Sequence, residues 1–210
     1  MTQPALAFRL RGAMLPVMKV RTGFHNRLFS ALALAAALVA PASAPAIAAD
    51  PATLDALFTR LAASGDDPAA AERIAAEIRI EWGKSGSAAI DFLYRRGTDA
   101  LDAGDAIAAA EHFTAAIDHD PGFLAAWEGR ARAYHMSGHD GPALADLAHV
   151  LSIEPRQFDA LAELGTIFEE IGNEEAARAA YRAALKINPG LTGASEAIAA
   201  LSRRLEGQEI

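Results

Sequence analysis

Beyond residue 50, apolar residues at helical spacing alternate with short polar breaks. Leu54, Leu57, Phe58 and Leu61 fall three and four apart, Ser64-Gly65-Asp66-Asp67-Pro68 interrupts them, and Ile74, Ile78 and Trp82 resume the pattern. That is one apolar stripe on each of two helices. A break from Gly83 to Gly86 follows, with Ser87 placed as a helix N-cap. The alternation then becomes periodic. Pro121, Pro155 and Pro189 stand 34 residues apart, each after an apolar helical stretch, and mark out blocks 90–123, 124–157 and 158–191 that align without insertion or deletion. A last amphipathic stretch sets Ile198, Leu201 and Leu205 against Glu196, Ser202, Arg203 and Arg204. Val, Ile and Thr nowhere form the alternating runs of strands, so the pattern predicts an all-α chain of about nine helices.

Within the blocks, large and small residues keep a common phase. Position four holds Leu93, Trp127 and Leu161; position eight holds Gly97, Ala131 and Gly165; position eleven holds Ala100, Tyr134 and Phe168. Position twenty is Ala109, Ala143 and Ala177, position twenty-four Phe113, Leu147 and Tyr181, and position twenty-seven Ala116, Val150 and Ala184. Small residues where two antiparallel helices cross let the axes come within about 8–10 Å, so the aromatics can interlock. Gly104, Gly138 and Gly172 fall between the two helices of each block, where a left-handed residue ends the first. Each proline stops the second.

This arrangement resembles the tetratricopeptide repeat, most fully in the third block with Leu161, Leu164, Gly165, Phe168, Ala177, Tyr181, Ala184 and Pro189. The departures are Arg96 and Arg130 at the usual leucine of position seven, where the stems would pack and the charged heads reach water, and Ala100 at the aromatic position. The resemblance implies a right-handed α–α superhelix of antiparallel helix pairs. Residues 49–89 are expected to form a helical hairpin, as a degenerate repeat or cap, 90–191 the three repeats, and 192–210 a capping helix and tail. The resemblance also implies a concave face lined by the first helix of each pair. Here that face would carry Asp91, Tyr94, Arg95, Thr98 and Asp102; then Glu128, Arg132, His135 and Met136; then Asp159, Glu163, Thr166, Glu169 and Glu170. Seven acids face two arginines. The lysine and asparagine with which some relatives hold chaperone tails are absent from these positions. The expected ligand is a basic or mixed protein segment, with Tyr94 and Met136 as apolar contacts and Arg132 as polar anchor.

The start of the chain reads as an address. Lys19, Arg21 and Arg27 precede an apolar run from Leu28 to Ala40, and a small-residue tract ends at Ala46-Ile47-Ala48. That is a secretory signal layout, too short for a spanning helix, with cleavage expected after Ala48 and a periplasmic destination. Met14 and Met18 are alternative starts. An uncleaved leader tethering the repeats to the inner membrane stands as an alternative. Removing five of 19 basic residues and none of 27 acidic ones leaves a formal net charge of −13, which disfavours nucleic acid or an anionic bilayer as partner.

The chain has no cysteine, which excludes disulfides, thiolate metal sites and a cysteine nucleophile. Gly83-Lys84-Ser85 resembles the end of a phosphate loop but has Ile78 where the leading glycine belongs. His135 and His139 have chelating spacing, yet Gly138 between them ends the helix, and no third ligand stands at a matching position. No cofactor, metal or catalytic residue is therefore expected. The function expected is a non-catalytic interaction scaffold in an envelope process, with a histidine-based metal or enzymatic site as the alternative.

Overall fold

A computed structural model describes residues 48–208, except residue 66; the expected signal segment, apart from Ala48, lies outside the described residues. These residues form nine helices and no strand: α1 Pro51–Ala62, α2 Pro68–Trp82, α3 Ala88–Asp102, α4 Ala106–His119, α5 Leu124–Met136, α6 Asp140–Ile153, α7 Phe158–Glu170, α8 Glu174–Ile187 and α9 Thr192–Gln208. No helix among the described residues is long and apolar enough to cross a membrane.

The three pairs α3–α4, α5–α6 and α7–α8 share one turn chemistry. Gly104, Gly138 and Gly172 have φ of 77°, 73° and 80°, a left-handed conformation that only glycine adopts without strain. Each lets the chain fold back so that the amide of Asp105, His139 or Asn173 donates to the carbonyl of Ala100, Tyr134 or Phe168 at 2.8 Å. Asp105 and Asn173 then cap the next helix by accepting from Ala108 and Ala176. At the far end Asp120, Glu154 and Asn188 are extended, as a residue before proline must be, which stops α4, α6 and α8 one residue earlier.

The small positions receive rings as the periodicity predicts. A Cβ on Gly97 would sit 2.6 Å from the Phe113 ring and one on Gly165 2.5 Å from Tyr181. Gly129 gives Phe113 a second such contact at 2.5 Å, from a position outside the repeat pattern. Ala109, Phe113, Ala116, Ala131, Ala143, Leu147, Val150, Ala177, Tyr181 and Ala184 are all buried, and Leu93, Trp127, Tyr134, Leu164 and Phe168 pack partly buried beside them. Leu161 is half-buried, and Pro121, Pro155 and Pro189 lie exposed in their turns. At the C-terminal end α9 buries Ala194 and Leu201 against Tyr181, Phe168 and Leu185, closing the last pair; the side chain of Leu205 lies outside the described residues.

Arg130 departs from expectation. Its head does not reach water: it donates to both Asp146 oxygens, at 2.8 and 2.9 Å, with the two side chains 14% and 8% exposed. It also lies over the Trp127 and Tyr134 rings at 4.8 and 5.7 Å. Asp146, one helix on, supplies the charge that makes burial tolerable. Arg96 is exposed as expected.

The hairpin α1–α2 packs differently from a stacked end unit. Asp50 and Asp67 cap its helices, each followed by proline in the first turn. Its apolar stripe, Leu54, Leu57, Leu61, Ala71, Ala75 and Ile78, encloses Phe158 of α7, with Ile187 and Leu191 at the edge. Trp82 stacks 5.2 Å from the Phe158 ring, and Gly190 comes so close that an added Cβ would lie 2.9 Å from the Glu72 amide nitrogen. Arg156 donates to Asp55 at 2.8 Å across 101 residues of sequence. The small face of α2 at Ala71 and Ala75 permits this approach to the turn at Gly190, so the hairpin braces the third repeat. Ahead of α3, Ala48 bridges to Ser85 and the amide of Ala49 donates to Lys84 O.

Candidate functional site

The hairpin brings α2 against the concave side of the repeats. Arg79 reaches α7 and donates to both oxygens of Asp159, at 2.7 and 2.8 Å, while its remaining nitrogen donates to Glu72 at 2.6 Å. The pair divides the groove. On one side lies a chamber of about 260 Å³ walled by Trp82, Tyr94, Ala125, Glu128, Arg132 and Gln157. On the other, an opening of about 800 Å³ runs past Ala162, Thr166 and Tyr181 to the start of α9. Arg79 borders both.

Charge in the smaller chamber is concentrated and incompletely paired. Arg132 donates to Glu128 at 3.1 Å and lies 3.6 Å from Glu163, so one half-exposed guanidinium serves two carboxylates that are 13% and 10% exposed. Gln157 donates to the other oxygen of Glu128 at 2.6 Å. Burial, reinforced by Asp159 and Glu163, pushes the Glu128 carboxyl up to about 7 against the pull of Arg132 and Arg79. Burial raises Glu163 as well, with Arg132 opposing. Burial also raises the Tyr94 phenol, which packs 5.7 Å from Phe113 and 5.2 Å from Phe123. Arg79 is held above its ordinary value by its hydrogen bonds to Asp159, against burial.

Of the residues expected along the concave face, Tyr94, Glu128, Arg132, Asp159 and Glu163 meet in this one cluster. His135 and Glu170 form a second, 3.5 Å apart, with His135 Nδ1 held by Asp140 Oδ1 at 2.9 Å. Thr166 and Glu169 form a third around the Tyr181 hydroxyl, whose oxygen lies 3.2 Å from Thr166 Oγ1 and 3.3 Å from Glu169 Oε2, with Arg204 paired to Glu169. Asp91 turns away to accept from the Ser85 amide and hydroxyl. Thr98 donates to its own helix at Arg95 O, and Arg95, Asp102 and Met136 are exposed. The repeat register could not reveal Arg79 and Trp82, which come from outside the repeats, or Gln157, which lies in a turn. His139 packs edge-on to Tyr134, and among the described residues no three histidines or acids gather as a metal would require.

Comparison with known proteins agrees with this architecture. The tetratricopeptide-repeat family model matches residues 158–191, the third block. A TPR repeat-containing protein of Rhizobium etli is 35% identical over 154 residues, spanning 73% of this chain and 75% of that one. The chain belongs to the tetratricopeptide-repeat family. Among solved structures, this TPR protein overlays the Sgt2 TPR domain of Aspergillus fumigatus with a TM-score of 0.55 and 22% identity, covering 59% of the chain and 83% of the domain. It overlays the first TPR of Spaghetti (RPAP3), bound there to the HSP90 peptide SRMEEVD, with a TM-score of 0.53 and 20% identity, covering 56% and 94%. At these identities the overlays establish the shared fold.

Proposed function

We propose that this TPR protein is a non-catalytic scaffold, exported to the periplasm and serving an envelope-assembly process, whose concave groove takes a basic or mixed polypeptide segment. A TPR solenoid is an architecture for protein–protein interaction, and one observation carries the choice of ligand. The groove gathers Glu128, Asp159 and Glu163 around two guanidinium groups, leaving carboxylate in excess. The signal layout of the leader and the acidic remainder of the chain support export and a cationic partner.

The test compares the protein with the triple variant Glu128→Gln, Glu163→Gln, Glu170→Gln, which leaves the Arg79–Asp159 pair intact. Immobilised protein should retain a partner from envelope extract that the triple variant loses and that salt elutes. Retention of the same partners by both would refute the acidic groove. Sequencing of protein recovered from the periplasm should begin at Ala49; an intact leader would instead favour the membrane-tethered form.

A further inference from the structure

The smaller chamber carries a second mark besides its acids. Gln157 is only 2% exposed, and while its amide nitrogen donates to Glu128, its Oε1 has no partner although the residue borders the cavity. Oε1 of Glu163, across Arg132, is likewise buried and unpaired. Each guanidinium here already bridges two carboxylates, Arg79 joining Asp159 to Glu72 and Arg132 joining Glu128 to Glu163. The cluster therefore carries more carboxylate than guanidinium. Buried acceptors without donors are rare in folded chains, and these two add negative potential that no nearby donor offsets. Burial, with Asp159 and Glu163 adding to it, raises the Glu128 carboxyl at the same place.

From this geometry we infer that the chamber walled by α2, α3, α5 and the start of α7 is the seat of one lysine side chain of the partner polypeptide. This rests on the groove reading above and names the residue that the groove selects. The volume, about 260 Å³, lies below the roughly 300–1,000 Å³ of sites that enclose a small molecule but leaves room for one long side chain. An ammonium brings three donors and no acceptor, which suits the Glu128 and Asp159 carboxylates that wall the chamber. Trp82 and Tyr94 supply aromatic walls for the methylene stem and the charge. Arg79 does not exclude a cation, because Asp159 and Glu72 already neutralise it.

The probe is the pentapeptide acetyl-Ala-Ala-Lys-Ala-Ala-amide, with norleucine in place of lysine as its uncharged counterpart. Binding to the full chain is followed through the indole N–H resonance of Trp82, assigned by its loss in Trp82→Phe. The lysine peptide should shift that signal saturably and the norleucine peptide should not. Glu128→Gln should weaken binding by at least about tenfold while the chain still melts cooperatively. Equal binding of both peptides, undiminished binding by Glu128→Gln, or no shift with lysine would each overturn the lysine seat. If the seat fails while the triple variant still loses the extract partner, the groove reading stands; retention of that partner sinks the groove reading itself.

Discussion

Replacing Glu128 by glutamine measures what the buried charge costs the fold. The carboxyl is 13% exposed and held at about 7, against 4.5 when free. A folded-state value above the unfolded one means that the native chain binds the extra proton between about pH 4.5 and 7. Stability contributed by the protonated group is therefore present below this window and lost as pH rises through it. At about 1.4 kcal/mol per tenfold in proton affinity, the penalty above pH 7 has an upper bound of about 3.5 kcal/mol. The amide preserves shape and still accepts from Arg132, and once the Gln157 amide turns over, the new N–H at position 128 meets the Gln157 oxygen, because Gln157 Nε2 now faces that position. For a domain of this size 1 kcal/mol is worth about 2–4 °C, so Glu128→Gln should melt up to about 14 °C higher at pH 8 and within about 4 °C of the parent at pH 5. Glu163, Asp159, Arg79, Arg132, Tyr94 and His135 surround the site in both proteins, so the difference between paired melting curves reports Glu128 together with its coupling to Glu163. A constant offset across pH, or a parent more stable at pH 8, would refute the reasoning.

Three further substitutions probe the packing. Gly165→Leu drives a side chain into the Tyr181 ring, 2.5 Å from where its Cβ would start, and should cost about 1–3 kcal/mol or more in denaturant titration; an unchanged midpoint would contradict the repeat register. Arg130→Met strands the Asp146 carboxylate and should cost about 3–5 kcal/mol, whereas the double variant with Asp146→Leu should recover most of it; a loss under about 1 kcal/mol for the single change would show that the pair is not buried. Gly190→Ala pushes against the backbone of α2 at Glu72 and Pro68, so limited proteolysis should cut the turn between α1 and α2 sooner while the repeats persist; an unchanged digestion pattern would argue against close docking of the hairpin.

The chain's own pattern determined its repeats, because a helix pair encodes its crossing in the size of a few residues at fixed spacing. Gly97 and Gly165 facing rings, the left-handed glycines at 104, 138 and 172, and the extended residue before each proline are local consequences of local sequence. Five of the concave residues could be grouped for the same reason: one helix face repeated 34 residues later returns to the same side. Arg130 already showed where such reading stops, since its partner lies on another helix and its burial depends on Asp146. The path of the hairpin was decided only by tertiary structure. Nothing in the spacing of Leu54 to Ile78 says that the face they form will close on Phe158, 80 residues beyond Ile78. With that closure came Arg79, Trp82 and the chamber at Gln157, a site made by elements distant in sequence, whose charge imbalance exists only when they are brought together in a medium that screens them poorly.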